Sequence, residues 1–597
     1  MIGTYAAVLA VGGASLALGQ AAIGLCGGRR WSWLAPAVGL ALLLAICWAT
    51  VRLPGDGVVA AIAVPLLVLA AIIYLWGRVE GGGGALRAGW PVALGALVAA
   101  SLPFVAEGHF GILGTSFNPD MSQHLLSADR LADGQTSQLL RQGYPLGPHS
   151  VVVALNKGLG IGLVQGFSGL TVAVAVLAPL TALAAFERLR ALPRTAAALV
   201  VGLAYVVASY FAQGAFKETM EALFLLGFVL ALRAAGREWE GLLLRFVPAA
   251  LIAVGAVYAY SFPGLIWLGG AFVVWLAAEA VVSRSLPPWR PLLLAAAPFA
   301  VLIAPEVGRM IDFHNFETFD PNGPGLGNLF GQVSPLEALG IWPSGDFRLA
   351  PGDGAVPAIG YYLGAAFALV LLAHGAWRCW QRREVAILAG LATVALVYIA
   401  GRTGGTAYAT AKAIEIAAPI CALTILLPLT ANSWFLMHPT GEKGTTRLGR
   451  GAWEPVAAVL FIAAAGVCSL LALANAPVGP TSYSPALTGL RPLLAADSTV
   501  YVASKHLLAD EQGTPYVAWE LRGGRVCIET AAEAGGAPPP GVRFVVAEGD
   551  PGRAPFPGLR VRRVARPYVL WEVTRPIKNE SPCPLIAVRQ ARQGPAR

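Results

Sequence analysis

Two stretches of this 597-residue chain combine side chains able to move a proton with side chains able to hold an anion. The first reads Phe117-Asn-Pro-Asp120-Met-Ser-Gln-His124 and runs on to Asp129. Asn118-Pro119-Asp120 has the form of a helix start: Asn as N-cap, Pro at the first helical position, an acid in the first turn. Asp120 and His124, four residues apart, then share one helix face. A carboxylate with an imidazole beside it is what a general base needs. The plainer alternative is that Asp120 only supports a helix N-terminus. Tyr144-Pro-Leu-Gly-Pro-His149 is a rigid turn. It either punctuates a loop or brings Arg141, Tyr144 and His149 toward the same place as substrate-binding groups.

The second stretch is Arg402-Thr-Gly-Gly-Thr-Ala-Tyr408-Ala-Thr-Ala-Lys412, small, polar and glycine-rich between apolar runs. Such sequence suits irregular backbone lining a cavity. Lys217 and Glu218 likewise interrupt apolar sequence. Charges at that depth are costly and face a cavity or a partner. Lys217, Arg402 and Lys412 could hold a phosphate; the alternatives are a structural pair of Lys217 with Glu218 or Glu221, and a snorkelling Lys412. Asp312, His314, Glu317 and Asp320 cluster further on, followed by Trp342 and Phe347. His314, Trp342 and Tyr408 are further candidate substrate contacts, with Trp342 able to stack on a sugar or anchor at the membrane interface. No spacing matches a metal motif, so no cofactor is expected, although a divalent metal at this acidic cluster stays open.

What positions these residues is a membrane. Hydrophobic residues make up 56% and charged residues 13%, against roughly 25% charged in a soluble domain. Apolar runs of about 20 residues, the length that crosses a bilayer, recur over 4–26, 33–51, 58–77, 89–107, 165–187, 195–213, 219–235, 246–262, 264–282, 291–309, 357–377, 385–401, 413–431 and 453–475. The stretch 151–163 reads as a membrane-surface helix. The first run lacks a basic flank and reads as a retained span rather than a cleaved signal. The fold class is therefore mainly α: a polytopic bundle of about fourteen spans.

Lys and Arg give the orientation. Arg29-Arg30, Arg78 and Arg87, Arg188 to Arg194, Arg233 to Arg245, Arg284 and Arg290, Arg378 to Arg383, and Lys443 to Arg450 all fall on one side of the alternation. The positive-inside rule makes that side cytoplasmic and both termini extracytoplasmic. The net charge of +9 is thereby explained without nucleic acid as a partner. The outer face then holds a loop over 108–164, a second over 310–356 and a tail over 477–597. In the tail, strand character at 500–503, 542–547 and 568–573 implies a small α/β domain. Cys26, Cys47, Cys379, Cys421 and Cys468 read as buried thiols, while Cys527 and Cys583 could pair outside the cytoplasm.

This pattern resembles the GT-C glycosyltransferases, polytopic enzymes that use polyprenyl-phosphate sugars. The resemblance rests on the number of spans, the acidic residue in a long external loop and the external C-terminal domain. It covers 89–475 in architecture, with 1–88 as additional N-terminal spans. Phe117-Asn-Pro-Asp120 and Tyr144-Pro-Leu-Gly-Pro-His149 also resemble loops of actinobacterial membrane proteins. The acidic loop follows the fourth span here rather than the first, and Asp120 is not part of an Asp-Asp or Asp-Glu pair. The resemblance implies an inverting glycosyltransferase moving a sugar from a polyprenyl-phosphate donor to a cell-envelope glycan or glycolipid acceptor. Asp120, aided by His124, would be the base, and Lys217, Arg402 and Lys412 would neutralise the leaving phosphate. Two other classes fit the same sequence: a transporter or flippase of a lipid-linked substrate, and a non-catalytic envelope scaffold.

Overall fold

The computed structural model describes residues 1–115, 117–118, 120–135, 137–284, 287–314, 325–354, 356–431, 435, 453–481, 484–494, 499–502, 513–522, 525–528 and 541–574. The chain opens with four helices, α1 (Ile2–Leu25), α2 (Ala35–Val51), α3 (Asp56–Leu75) and α4 (Gly82–Ala106). The first long loop carries β1 (Ile112–Leu113), α5 (Met121–Ala132), α6 (Gln138–Arg141) and α7 (Gly147–Leu159). Next come α8 (Leu163–Phe186), α9 (Ala191–Gly202), α10 (Tyr205–Ala212), α11 (Phe216–Arg237), α12 (Val247–Tyr260), α13 (Phe262–Ser283), α14 (Trp289–Ile303) and α15 (Val307–His314). After the second loop follow α16 (Ala358–Gln381), α17 (Val385–Gly404), α18 (Ala407–Leu429) and α19 (Trp453–Ala474).

Eleven of these helical segments are long and apolar enough to cross a membrane, and the bent pair α9–α10 makes a twelfth if it counts as one span. The apolar helices α2 and α12 are shorter, at 17 and 14 residues. The molecule is thus mainly helical, and its long apolar helices are consistent with a multi-pass membrane protein. The stretch 195–213, expected as one continuous span, is instead broken by a 57° bend. Ala204 is extended (ψ 150°), which interrupts the helical hydrogen-bond ladder between α9 and α10.

Burial separates inner from outer helices. In α8, α11 and α18, 89% of the most apolar stretch is buried, against 11% in α3. The outer helices turn Leu66, Ile73, Leu294 and Val301 outward. A soluble surface would not carry such contiguous apolar area.

At one end of the bundle the basic connections meet. Arg30 and Glu80 form a backbone bridge. Arg237 pairs with Glu384 at 2.6 Å and donates to the carbonyls of Arg382 and Arg383. The Arg190 amide donates to the Phe435 carbonyl.

The other end carries the two long loops and the C-terminal sheet region. Its strands are β2 (Val478–Gly479), β3 (Thr499–Val502), β4 (Arg525–Ile528), β5 (Val542–Glu548), β6 (Leu559–Ala565) and β7 (Tyr568–Val573), with helices α20 (Pro485–Thr488) and α21 (Gly513–Glu520). A mixed five-stranded sheet has the order β4-β3-β5-β7-β6, with β3 parallel to both β4 and β5. Alternation decides its two faces: Phe544, Val546 and Leu570 pack on one side, Val545, Val569 and Trp571 on the other. β2 pairs antiparallel with β1, tying the chain after α19 back to the first loop. Cys26, Cys47, Cys379, Cys421 and Cys468 are free thiols. The expected Cys527–Cys583 pairing lies outside the described residues.

Candidate active site

The first loop is held against the α10–α11 connection by backbone contact. Gly214 has φ +74°, and a Cβ there would lie 2.6 Å from the Leu113 carbonyl oxygen. A Cβ on Gly114 would lie 2.1 Å from the carbonyl carbon of Gln213. Only glycine permits both the left-handed backbone and the approach. The result sets Asn118 and Asp120 opposite the start of α11.

Helix α5 begins one residue after Asp120, so Asp120 is the N-cap rather than a first-turn residue as the sequence suggested. Its carboxylate makes no capping bond, while its amide donates to Asn118 Oδ1 at 2.9 Å. The carboxylate is left to face a cavity of about 420 Å³, mouth included. Asn118, Asp120, Met121 and His124 form one wall; Tyr210, Gln213 to Glu218 and Tyr408 complete it.

The charges divide between helices. Lys217 Nζ donates to the Tyr144 hydroxyl. Glu218 pairs with Lys412 at 2.9 Å rather than with its neighbour Lys217, and Lys412 also lies over the Tyr408 ring at 4.2 Å. One turn further in, Glu221 and Glu415 are fully buried, and their carboxylate oxygens have no hydrogen-bond partner among the described residues.

Burial raises the Asp120 carboxyl above its ordinary range, opposed by the nearby Lys217 and Lys412 ammonium groups. Behind the wall, His124 Nδ1 and His149 Nε2 are 3.1 Å apart, enclosed by Phe167, Phe216 and Tyr144. Burial lowers His149 to about 3 and holds His124 well below the usual imidazole value, so both are neutral near pH 7. His149 Nδ1 has no hydrogen-bond partner among the described residues. A buried N–H without an acceptor is costlier than a bare ring nitrogen. The shared proton therefore belongs on His149 Nε2, donated to His124 Nδ1. His124 then carries its own proton on Nε2, where it acts as a hydrogen-bond donor.

The second loop covers the first. Asn328 Nδ2 donates to the Phe117 carbonyl at 3.1 Å and to Gln213 Oε1 at 2.5 Å. Arg348 grips Asp346 with two nitrogens, at 2.9 and 2.7 Å, and lays its guanidinium over Phe117 at 4.1 Å. Arg309 donates to the Tyr144 carbonyl at 2.6 Å and pairs with Glu306 at 3.1 Å. Arg309, Arg348, Gln213 and Asn328 were not singled out from the sequence, because their partners come from distant segments.

Of the residues singled out in the sequence, Asp120, His124, Tyr144, His149, Lys217, Glu218, Tyr408 and Lys412 come together here. Others do not. Arg402 and Arg141 are exposed and absent from the lining. His314 is exposed at the end of α15, against Phe262. Trp342 is fully buried against Tyr361, so its ring is a packing element rather than a presented platform. Among the described residues no group of three His, Cys, Asp or Glu side chains could hold a metal ion; Glu317 and Asp320 lie outside them. No protein-family model matches the sequence, and comparison with characterised proteins finds no match.

Proposed function

We propose that this protein is a membrane-embedded glycosyltransferase that moves a sugar from a polyprenyl-phosphate donor to an extracytoplasmic glycan or glycolipid acceptor. One observation carries the reading: a carboxylate on a loop helix, Asp120, shares a cavity with Lys217 and Glu218 at the start of a central helix, and Glu218 holds Lys412 of a second central helix at 2.9 Å behind that wall. The basic connections gather at the opposite end of the bundle, which under the positive-inside rule supports reading this cavity as extracytoplasmic. A lipid phosphate would lie at that depth.

In this reaction Asp120 takes the proton of the acceptor hydroxyl as its oxygen attacks the anomeric carbon. The carbon–oxygen bond to the donor phosphate breaks on the opposite face, giving inversion. Lys217 and Lys412 neutralise the charge that develops on the leaving phosphate. His124 donates a hydrogen bond from Nε2 to a substrate oxygen. In contrast to the expectation from sequence, Arg402 is left out of the phosphate-binding set, because its side chain is exposed outside the cavity wall, whereas Lys412 is tied to that wall through Glu218.

The bent α9–α10 pair and the unpaired Glu221 and Glu415 favour a second reading, transport of a lipid-linked substrate, since broken helices and buried carboxylates mark such sites. One experiment separates them. The purified protein in nanodiscs is given a radiolabelled polyprenyl-phosphate sugar and envelope acceptors, and covalent transfer is followed. Transfer by the wild type, abolished in Asp120→Asn with the fold retained, supports the enzyme. Substrate movement across vesicles without any covalent change supports transport.

A further inference from the structure

Helix α5 has two attachments. Its N-terminal end enters the cavity with Asp120 and His124. Its C-terminal end meets the C-terminal sheet region. There Arg522 Nε lies 3.2 Å from Asp129 Oδ1, with both side chains at least half withdrawn from solvent. Arg522 is itself fixed: its guanidinium sits over the Trp519 ring at 3.4 Å and donates to the Trp519 carbonyl at 2.9 Å.

Helix α21 explains why this contact is stiff. Val517 and the following Leu521 belong to the core of the sheet, whereas Tyr516 and Trp519 pack into the core of the membrane bundle. One short helix thus shares its side chains between two hydrophobic cores. The sheet region cannot shift without withdrawing Tyr516 and Trp519 from the bundle. Asp129 and Asp120 are nine residues apart, about 14 Å along a rigid helix. A tilt at the Asp129 end therefore displaces the carboxylate at the other.

The phosphate-binding lysines are attached differently. Lys217 is on α11 and Lys412 on α18, both central helices without a described ion pair to the sheet region. The molecule therefore separates the base from the anion-holding groups mechanically.

We propose that the C-terminal sheet region is the positioning element of the catalytic helix, and that Arg522 and Asp129 are the positioning residues that set Asp120 and His124 against Lys217 and Lys412. This rests on the reading of Asp120 as base. It assigns the sheet region a role in turnover rather than in holding the donor.

The test uses full-length protein in nanodiscs with Arg522→Ala, the milder Asp129→Asn, and the charge exchange Asp129→Arg with Arg522→Asp. Three readouts are taken: kcat for sugar transfer, KM for the donor, and hydrogen exchange of the amides of residues 121–132. Each single variant should lower kcat by about ten- to a hundredfold, as expected for an ångström-scale misplacement. Donor KM should stay within about twofold, exchange in α5 should rise, and the charge exchange should recover most of the kcat. Unchanged exchange in α5, or a rise in donor KM at unchanged kcat, would overturn the proposal. If the wild type transfers no sugar, the reading of Asp120 as base fails. The exchange measurement then still decides the mechanical coupling, supporting it if α5 loosens in Arg522→Ala and overturning it if α5 does not.

Discussion

Lys412 Nζ stands 2.9 Å from Glu218 Oε1, and the two reach each other from different helices, α18 and α11. Both side chains are buried, at 13% and 5% exposure. A buried pair of this kind is weak evidence for net stability, yet breaking it by removing one partner strands a charge. It also places a cation within reach of the cavity without leaving it free to collapse onto Asp120.

Lys412→Met should therefore destabilise the protein by about 3–5 kcal/mol, the usual cost of a stranded buried charge. Adding Glu218→Gln should restore most of that stability while transfer stays lost. Thermal unfolding in detergent and the transfer assay check the two halves separately. Equal loss in the single and double variants would show that the pair does not carry the effect.

Asp120 must be ionised to accept a proton. Because burial raises its carboxyl, transfer should fall as pH is lowered through a midpoint above the ordinary value near 4. Replacing Lys217 by Met removes a charge that opposes this rise, so the acid limb of any remaining activity should move to still higher pH. A pH–rate profile of kcat is the measurement. A midpoint at or below 4 would contradict the burial of the base.

His149, which lies behind the cavity wall, bears on stability. His149 is lowered in the folded state to about 3, whereas the unfolded chain titrates near 6.5. Below about pH 6.5 the unfolded state takes up a proton that the folded state refuses, so stability falls toward pH 3. His149→Phe, set among Phe167 and Phe216, should flatten this slope. Melting temperature against pH, wild type beside variant, is the comparison, and identical slopes would count against it.

Gly214→Ala should lower both stability and transfer. The left-handed backbone at φ +74° costs a non-glycine residue about 1 kcal/mol, and the new methyl would press on the Leu113 carbonyl. Transfer should drop more than tenfold as the loop carrying Asp120 is displaced. A variant with wild-type kcat would mean that the loop adapts.

Much of this was legible in one dimension. The apolar runs mark the helices, because twenty uncharged residues have few other places to go. Lys217, Glu218 and Lys412 stand out because charge inside such runs must be paired. The sheet strands at 542–548 and 568–573 follow from β-branched and aromatic alternation. The arginines that assemble the site stayed hidden. Arg348 meets Phe117 across 231 residues and Arg522 meets Asp129 across 393. Periodicity reports which face of an element is apolar, not which distant loop will cover it. Trp342 misled for a related reason: an aromatic in a polar loop looks presentable until the loop folds inward over Tyr361. The bend in α9–α10 left no proline to announce it.

The two-residue pairing of β1 with β2 ties Ile112 and Leu113 to Gly479 and Val478. Those partners are separated by nearly the whole sequence of helices. The ribosome delivers the Asp120 loop early, yet its anchor emerges only after α19, and α21 later still. The loop therefore gains its last backbone tie only near the end of synthesis. A chain truncated just before residue 478 would keep every residue that lines the cavity yet lack the strand that pairs with the loop carrying Asp120.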